Sequence, residues 1–209
     1  MIPITLVTGF LGSGKTTLLE EIYKKNQQYR IIYLVNDYSM RDVDADFFSK
    51  NNREIISVAG GSIFCTCLVT EFVNKLNAII KMESDSLKPL DGLVIEASGI
   101  ANPSVIKSLL GESRMDEYFR LNNIISITDP ISFPKLQQTL PNIKQQIQSA
   151  NHIILNKIDL VESDAIKEII LQIQKINNKS EIHITRHCRI DFNPLETNDS
   201  GFEYLSSDS

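Results

Sequence analysis

Val7-Thr8-Gly9-Phe10-Leu11-Gly12-Ser13-Gly14-Lys15-Thr16-Thr17 follows the apolar run Ile2–Val7 and leads into a helical pattern. It satisfies Gly-x4-Gly-Lys-Ser/Thr, the phosphate-binding loop pattern, with the preceding strand and following helix that the pattern needs. Glycines let the backbone wrap closely enough for successive N–H groups to point at phosphate oxygens. Lys15 can reach β- and γ-phosphates, and the Thr16 hydroxyl can hold a magnesium ion. A helix starting near Lys15 adds the positive end of its dipole to the same place. Gly9, Gly12, Ser13, Gly14, Lys15, Thr16 and Thr17 are therefore the expected contacts of a nucleoside triphosphate.

The chain around this loop reads as one domain. Its 209 residues suffice for one well-buried α/β unit and are too few for two large ones. A hydrophobic share of 42% and a charged share of 22% are those of a globular protein. No apolar run approaches the ~18 residues of a membrane span, so no membrane partner is expected. A strand begins almost at residue 1, leaving no room for a signal peptide, and three cysteines do not make a secreted disulfide framework. A cytoplasmic setting is the expectation. The net charge of −5 is carried by the C-terminal end, where Asp191, Glu196, Asp199, Glu203 and Asp208 follow Arg189 with no Lys or Arg among them. With a formally neutral body, no nucleic-acid partner is expected either.

Short apolar runs at Ile2–Val7, Arg30–Val35, Leu93–Ile95, Ile124–Ile127 and His152–Leu155 are mostly continuous, as in strands buried on both faces of a parallel sheet. Helical stripes lie between them: Leu18, Leu19, Ile22 and Tyr23; then Val69, Phe72, Val73, Leu76, Ile79 and Ile80; then Ala165, Ile166, Ile169, Ile170, Ile173 and Ile176. Asn102-Pro103 reads as a cap followed by a first-turn proline. The alternation predicts a three-layer α/β fold of the P-loop NTPase kind, with a mostly parallel, doubly wound sheet and helices on both faces. Residues 1–187 are read as this nucleotide-binding domain. Residues 188–209, rich in Ser, Asp and Asn, are read as an acidic mobile tail, with no separate C-terminal domain.

Two further motifs extend the site. Asp91-Gly92-Leu93-Val94-Ile95-Glu96-Ala97-Ser98-Gly99 is an apolar strand ending in an acid, with a glycine three residues on. In phosphate-loop proteins such an acid contacts magnesium directly or through water. Glu96 takes that place, and the Gly99 N–H is available to a γ-phosphate. Asn156-Lys157-Ile158-Asp159 follows the run His152–Leu155 and has the Asn-Lys-x-Asp form that reads guanine. Asp159 can accept from guanine N1–H and N2–H2, Asn156 can bond base edge and loop, and the Lys157 stem can pack over the ring. A site of such polar pairs rejects a base lacking the partners. GTP is thus the expected nucleotide, ahead of ATP.

Together these motifs resemble the CobW/HypB/UreG family of metal-linked P-loop GTPases, most closely its CobW-like branch. Thr8–Thr17 is similar to that branch almost letter for letter. Glu96-Ala97-Ser98-Gly99-Ile100-Ala101-Asn102-Pro103 resembles its acid-bearing segment, with Asn102 replacing an acid. Asn36-Asp37-Tyr38 with Val43-Asp44 resembles its switch segment, with Asp37 for Glu and Ser39 for Gly. The resemblance covers residues 2–185. It implies slow hydrolysis of GTP to GDP with Mg2+ held by Thr16 and Glu96, and Lys15, Asp37 and Glu96 as catalytic groups. Either Asp37 or Glu96 orients the attacking water.

It also implies coupling of nucleotide state to Zn2+, Co2+ or Ni2+, and delivery or insertion of that metal into a client metalloenzyme or cofactor. The branch carries Gly-Cys-x-Cys-Cys where this chain reads Gly61-Ser62-Ile63-Phe64-Cys65-Thr66-Cys67. Ser62 and Phe64 stand in place of two cysteines, Cys65 matches the third, and Cys67 is additional. Two thiolates at this spacing can hold a soft or borderline ion, but tetrahedral binding needs further ligands. Asp37, His187, Cys188, a water, or the same pair from a second copy in a nucleotide- or metal-dependent homodimer would supply them. The histidines at 152, 183 and 187 are scattered, and His152, beside a strand, reads as structural. Two other classes compete: a metal-independent GTP switch that activates a partner enzyme, and a small-molecule kinase, for which Asn-Lys-x-Asp has no use.

Overall fold

The computed structural model describes residues 1–35, 54–57 and 69–195. Seven strands form one sheet: β1 (Ile2–Gly9), β2 (Ile31–Val35), β3 (Glu54–Ser57), β4 (Gly92–Glu96), β5 (Phe119–Thr128), β6 (His152–Leu155) and β7 (Glu181–Ile184). Their order is β3-β2-β4-β1-β5-β6-β7, and every pairing is parallel. The expected mostly parallel sheet is therefore parallel throughout the described strands. The central strands β1 and β4 are apolar on both faces because both are covered. The edge strands β3 and β7 are half-exposed and carry polar residues, so neither shows as an apolar run in the sequence.

Among the described residues six helices connect the strands: α1 (Lys15–Lys25), α2 (Val69–Ser84), α3 (Val105–Glu112), α4 (Phe133–Thr139), α5 (Pro141–Ser149) and α6 (Ser163–Ile176). Phe72, Leu76 and Ile79 of α2, Ile106 of α3, Phe133 of α4, Ile147 of α5 and Ile173 of α6 fill one core with Ile4, Leu6, Leu93 and Ile95. Each such side chain, nearly stripped of water, stabilises by about 1.5–3 kcal/mol. The predicted start of α3 at Asn102-Pro103 moves to Val105. Asn102 instead closes a turn, its Oδ1 accepting from the Ser104 N–H at 3.1 Å and the Ser104 hydroxyl at 2.8 Å.

The other face is covered, among the described residues, by α1 and by a strap formed by residues 188–195. Leu18, Leu19 and Ile22 of α1 pack with Val7, Tyr33, Val94, Ile125 and Ile154 of the sheet and with Cys188, Ile190, Phe192 and Leu195 of the strap. Composition placed these last residues in a mobile tail. Their packing follows from the apolar residue at nearly every second place, 188, 190, 192 and 195, which the polar residues Arg189, Asp191 and Asn193 between them mask. The Pro194 carbonyl accepts from Thr5 Oγ1 at 2.7 Å and Asn123 Nδ2 at 2.6 Å, satisfying buried polar groups of β1 and β5. Lys25 Nζ donates to the Ile190 carbonyl.

Because all strands run the same way, their C-terminal ends share one edge of the sheet. Val7 and Val35 both pair with Glu96, Gly9 pairs with Ile127, Thr128 with Leu155, and Leu155 with Ile184. The loops leaving β1, β4, β6 and β7 therefore meet there, where open parallel sheets bind ligands.

Candidate nucleotide site

The loop between β1 and α1 takes the shape its glycines permit. Gly9, Gly12 and Gly14 have φ of 148°, 78° and 119°, a region that side chains disfavour. At Gly9 a Cβ would sit 2.4 Å from the Ile127 carbonyl oxygen. At Gly14 it would lie 2.6 Å from Asn156 Nδ2 and 3.0 Å from Cys188 Sγ, so β6 and the strap press directly on the loop. Lys15 is buried at the start of α1, and its ammonium donates to the carbonyls of Gly9 at 3.0 Å and Phe10 at 3.4 Å. Those bonds set the cation in the curve of the loop. Thr16 and Thr17 occupy the first turn of α1, half-buried.

Glu96 ends β4 beside Val7 and is 7% exposed. The turn after it passes close to the loop: a Cβ on Gly99 would lie 3.0 Å from the Leu11 nitrogen. Helix α5 holds this turn in place. Gln146 Nε2 donates to the carbonyls of Gly99 and Ala101, both at 3.1 Å, and Asn142 Nδ2 to that of Ile100 at 2.6 Å. Neither residue carries a motif, and no pattern in the sequence singles them out.

Among the described residues, Thr8 Oγ1, Ser13 Oγ and Ser98 Oγ are buried with no hydrogen-bond partner. All three stand where the phosphate loop and the Glu96–Gly99 turn converge. An unpaired buried hydroxyl is costly, and an oxygen-rich ligand or its bound waters would satisfy each. With the Thr16 hydroxyl and the Glu96 carboxylate, this oxygen donor set suits a hard cation such as Mg2+.

The third motif is tied to the first. Asn156 is 2% exposed, and its Nδ2 donates to the Ser13 carbonyl at 3.0 Å. Its Oδ1 accepts from the Cys188 N–H at 3.0 Å and the Thr185 hydroxyl at 3.3 Å. The residue expected to read a base edge thus also fastens the phosphate loop to the turn after β7. Lys157 has φ 60° and reaches over the loop, its Nζ donating to the Gly12 carbonyl at 2.6 Å. Asp159 lies exposed in the 3-10 turn Ile158–Leu160 that follows.

His187 and Cys188 have φ of 54° and 52°, two successive left-handed residues without a glycine. This turn carries the Cys188 side chain under the phosphate loop, where Sγ donates to the Gly14 carbonyl at 3.4 Å. Burial first, then the Glu21 carboxylate, pushes the thiol up to about 12 against the opposing pull of Lys157. The thiol is thus held protonated beneath the loop, where it packs against Gly14. His187 is exposed on the same turn. Asp37, Cys65 and Cys67 lie outside the described residues.

The sequence model of the family described as CobW/HypB/UreG, nucleotide-binding domain, matches residues 3–184. Zinc chaperone YjiA of Escherichia coli is 27% identical over 203 residues, covering 96% of this chain and 62% of that protein. Zinc-regulated GTPase metalloprotein activator 1 of Schizosaccharomyces pombe is 28% identical over 201 residues, covering 91% of this chain and 47% of that protein. The chain therefore spans between about half and three-fifths of the length of these relatives. The crystal structure of Zn(II)-bound YjiA GTPase from E. coli superposes with a TM-score of 0.65 at 23% identity, covering 94% of this chain and 61% of that one, and shows the same fold. With its nucleotide-binding domain matched from β1 to the end of β7, this chain belongs to the CobW/HypB/UreG family.

Proposed function

We propose that this protein binds and slowly hydrolyses GTP, and uses nucleotide state to govern binding of a transition metal, Zn2+, Co2+ or Ni2+, that it delivers to a client metalloenzyme or cofactor. The observation that carries the reading is the convergence of three motifs on one sheet edge. Asn156 and Lys157 are bonded to the Ser13 and Gly12 carbonyls, so phosphate loop and base-reading turn form one unit. The metal part draws support from the relatives, two of which are named for zinc.

In this reading Lys15 balances charge on the β- and γ-phosphates, and the loop N–H groups and α1 dipole hold the phosphate oxygens. Thr16 and Glu96 hold Mg2+ or its waters, which supplies electrostatic stabilisation of the transferring phosphoryl group. Asp37 or Glu96 orients the attacking water. Asp159 selects guanine through its paired donors, and Asn156 keeps the turn that presents Asp159 in register with the loop. The Gly99 N–H senses the γ-phosphate, and the segments containing Asp37 and the Cys65/Cys67 pair respond to it. Cys65 and Cys67 bind the cargo ion, with remaining ligands from Asp37, water or a second copy of the chain. The protein works in the cytoplasm, either alone or as a nucleotide- or metal-dependent homodimer.

Linkage supplies the test. If nucleotide state alters metal affinity, metal alters nucleotide affinity by the same factor. GTP affinity measured with and without Zn2+, Co2+ or Ni2+ should differ several-fold, and GTP should be hydrolysed in preference to ATP. Identical affinities would remove the coupling. The replacement of two family cysteines by Ser62 and Phe64 favours a second reading, a metal-independent switch that activates a partner enzyme. A Cys65→Ser/Cys67→Ser variant with unchanged metal stoichiometry would support that reading.

A further inference from the structure

Parallel register places two histidines and a glutamate together at the opposite end of the sheet from the nucleotide. His152 opens β6 and pairs with Glu181, which opens β7; His183 follows two residues later, paired with Ile154. All three residues fall on the α1 face, because positions two apart along a strand share a face. Among the described residues this is the one group of three His, Cys, Asp or Glu side chains close enough to share an ion.

His152 Nδ1 lies 3.1 Å from His183 Nε2, and Glu181 Oε2 lies 3.6 Å from the former and 3.9 Å from the latter. A point equidistant from these three atoms is about 2.1 Å from each, the length of a zinc–imidazole or zinc–carboxylate bond. We propose that His152, His183 and Glu181 bind one transition-metal ion of the Zn2+ class, at a site separate from the cysteine pair and from the nucleotide.

The surroundings are those of a ligand set. His152 and His183 are buried, while Glu181 is exposed and opens the way in from solvent. Phe192 of the strap stacks on both imidazoles, with ring centroids 4.5 Å from His152 and 4.3 Å from His183, at interplanar angles of 15° and 24°. The stack covers the faces of the rings, while their edges meet at the Nδ1 and Nε2 atoms, which share a hydrogen bond in the metal-free protein. The other nitrogen of His183, Nδ1, has the exposed Asp191 Oδ1 at 3.9 Å, too far for a hydrogen bond but near enough for its charge to favour positive charge on the ring. Burial lowers the proton affinity of both histidines. Neutral imidazole is the form that binds metal, so little competition from protons remains at neutral pH. Two imidazoles and one carboxylate with a water in the fourth position is a three-ligand zinc set. Along β6, His152 stands four positions, about 13 Å, before Asn156, and His183, paired with Ile154, stands two positions before it.

The site is tested in the full chain carrying Cys65→Ser and Cys67→Ser, which removes the cargo thiols. Zn2+ titration by calorimetry should retain one equivalent, and Co2+ should give the visible absorption of a four-coordinate ion. Adding Glu181→Gln, an exposed change that leaves the core intact, should weaken Zn2+ at least tenfold. Adding His183→Gln should abolish the Co2+ band, with circular dichroism reporting that the fold persists. If the double-cysteine variant binds no Zn2+ while the unaltered chain does, all binding belongs to the cysteines and this site is refuted, with the proposed function left standing. If Zn2+ affinity survives both added changes, His152 and His183 are a hydrogen-bonded pair only. Zinc retained here without any effect on GTP affinity would uphold this site as separate from the nucleotide and leave the coupling, which the proposed function assigns to Cys65 and Cys67, standing.

Discussion

Asn156→Ala separates the guanine-reading role proposed for its motif from the anchoring role that the geometry assigns to the same side chain. A residue that only reads guanine would cost nothing when replaced in the nucleotide-free protein. Here the amide makes three hydrogen bonds in a buried setting, to the Ser13 carbonyl, the Cys188 N–H and the Thr185 hydroxyl. Each contributes about 1 kcal/mol net, and the truncation strands a carbonyl and an N–H away from water, so the loss is about 3 kcal/mol. For a domain of this size that corresponds to a fall in Tm of roughly 6–12 °C. The assay is urea and thermal unfolding of the unliganded protein, followed by titration with GTP. Asn156→Asp should lose a similar amount, because it sets a buried oxygen against the Ser13 carbonyl in place of the donating NH2. A Tm within about 1 °C of the unaltered protein, with GTP affinity alone reduced, would refute the anchoring role.

Three more outcomes are expected. Gly14→Ala puts a methyl 2.6 Å from Asn156 Nδ2 at φ 119°, and should cost at least about 2 kcal/mol and most of the affinity for a fluorescent guanine nucleotide. Retained binding would mean that Asn156 and Cys188 do not seat the loop. Cys188, with its thiol pushed up to about 12, should ignore a thiol reagent at pH 8 in the Cys65→Ser/Cys67→Ser variant and release one equivalent on unfolding in urea; prompt reaction in the folded state would contradict its burial. The buried pair His152 and His183 should make the protein acid-sensitive in metal-free buffer. Desolvation lowers both below their ordinary value of 6.5, reinforced at His152 by the neighbouring His183 and opposed at both by Glu181 and at His183 also by Asp191. The unfolded chain then binds more protons below about pH 6.5, so stability falls as pH drops from there toward the folded-state values. Unfolding by urea at pH 7.5 and 5.5 should show the loss, and His183→Gln should reduce it.

The nucleotide site was legible because its chemistry is local. Gly9 to Thr17 must be contiguous for one loop to wrap a phosphate, and Glu96 and Asn156–Asp159 announce themselves by position at strand ends. Continuous apolar runs gave β1, β2, β4 and β6 for the same reason: burial on both faces leaves no polar alternation. The strands β3 and β7 escaped because edge position removes that constraint, leaving Glu54-Ile55-Ile56-Ser57 and Glu181-Ile182-His183-Ile184 with mixed patterns. Interspersed polar residues hid the strap, since Arg189, Asp191 and Asn193 break its apolar run while Ile190, Phe192 and Leu195 pack beneath.

The sequence alone therefore determined the glycine-rich loop Gly9–Thr17 between a strand and a helix and most of the strands and helices around it, since each of those features is written in neighbouring residues. Only tertiary structure decided what holds that loop and what lies far from it. Ser13 meets Asn156 across 143 positions, Cys188 comes under Gly14 across 174, and His152 reaches His183 across 31. The physical reason is register: parallel pairing fixes which side chains face each other, and no short-range pattern in the chain encodes it.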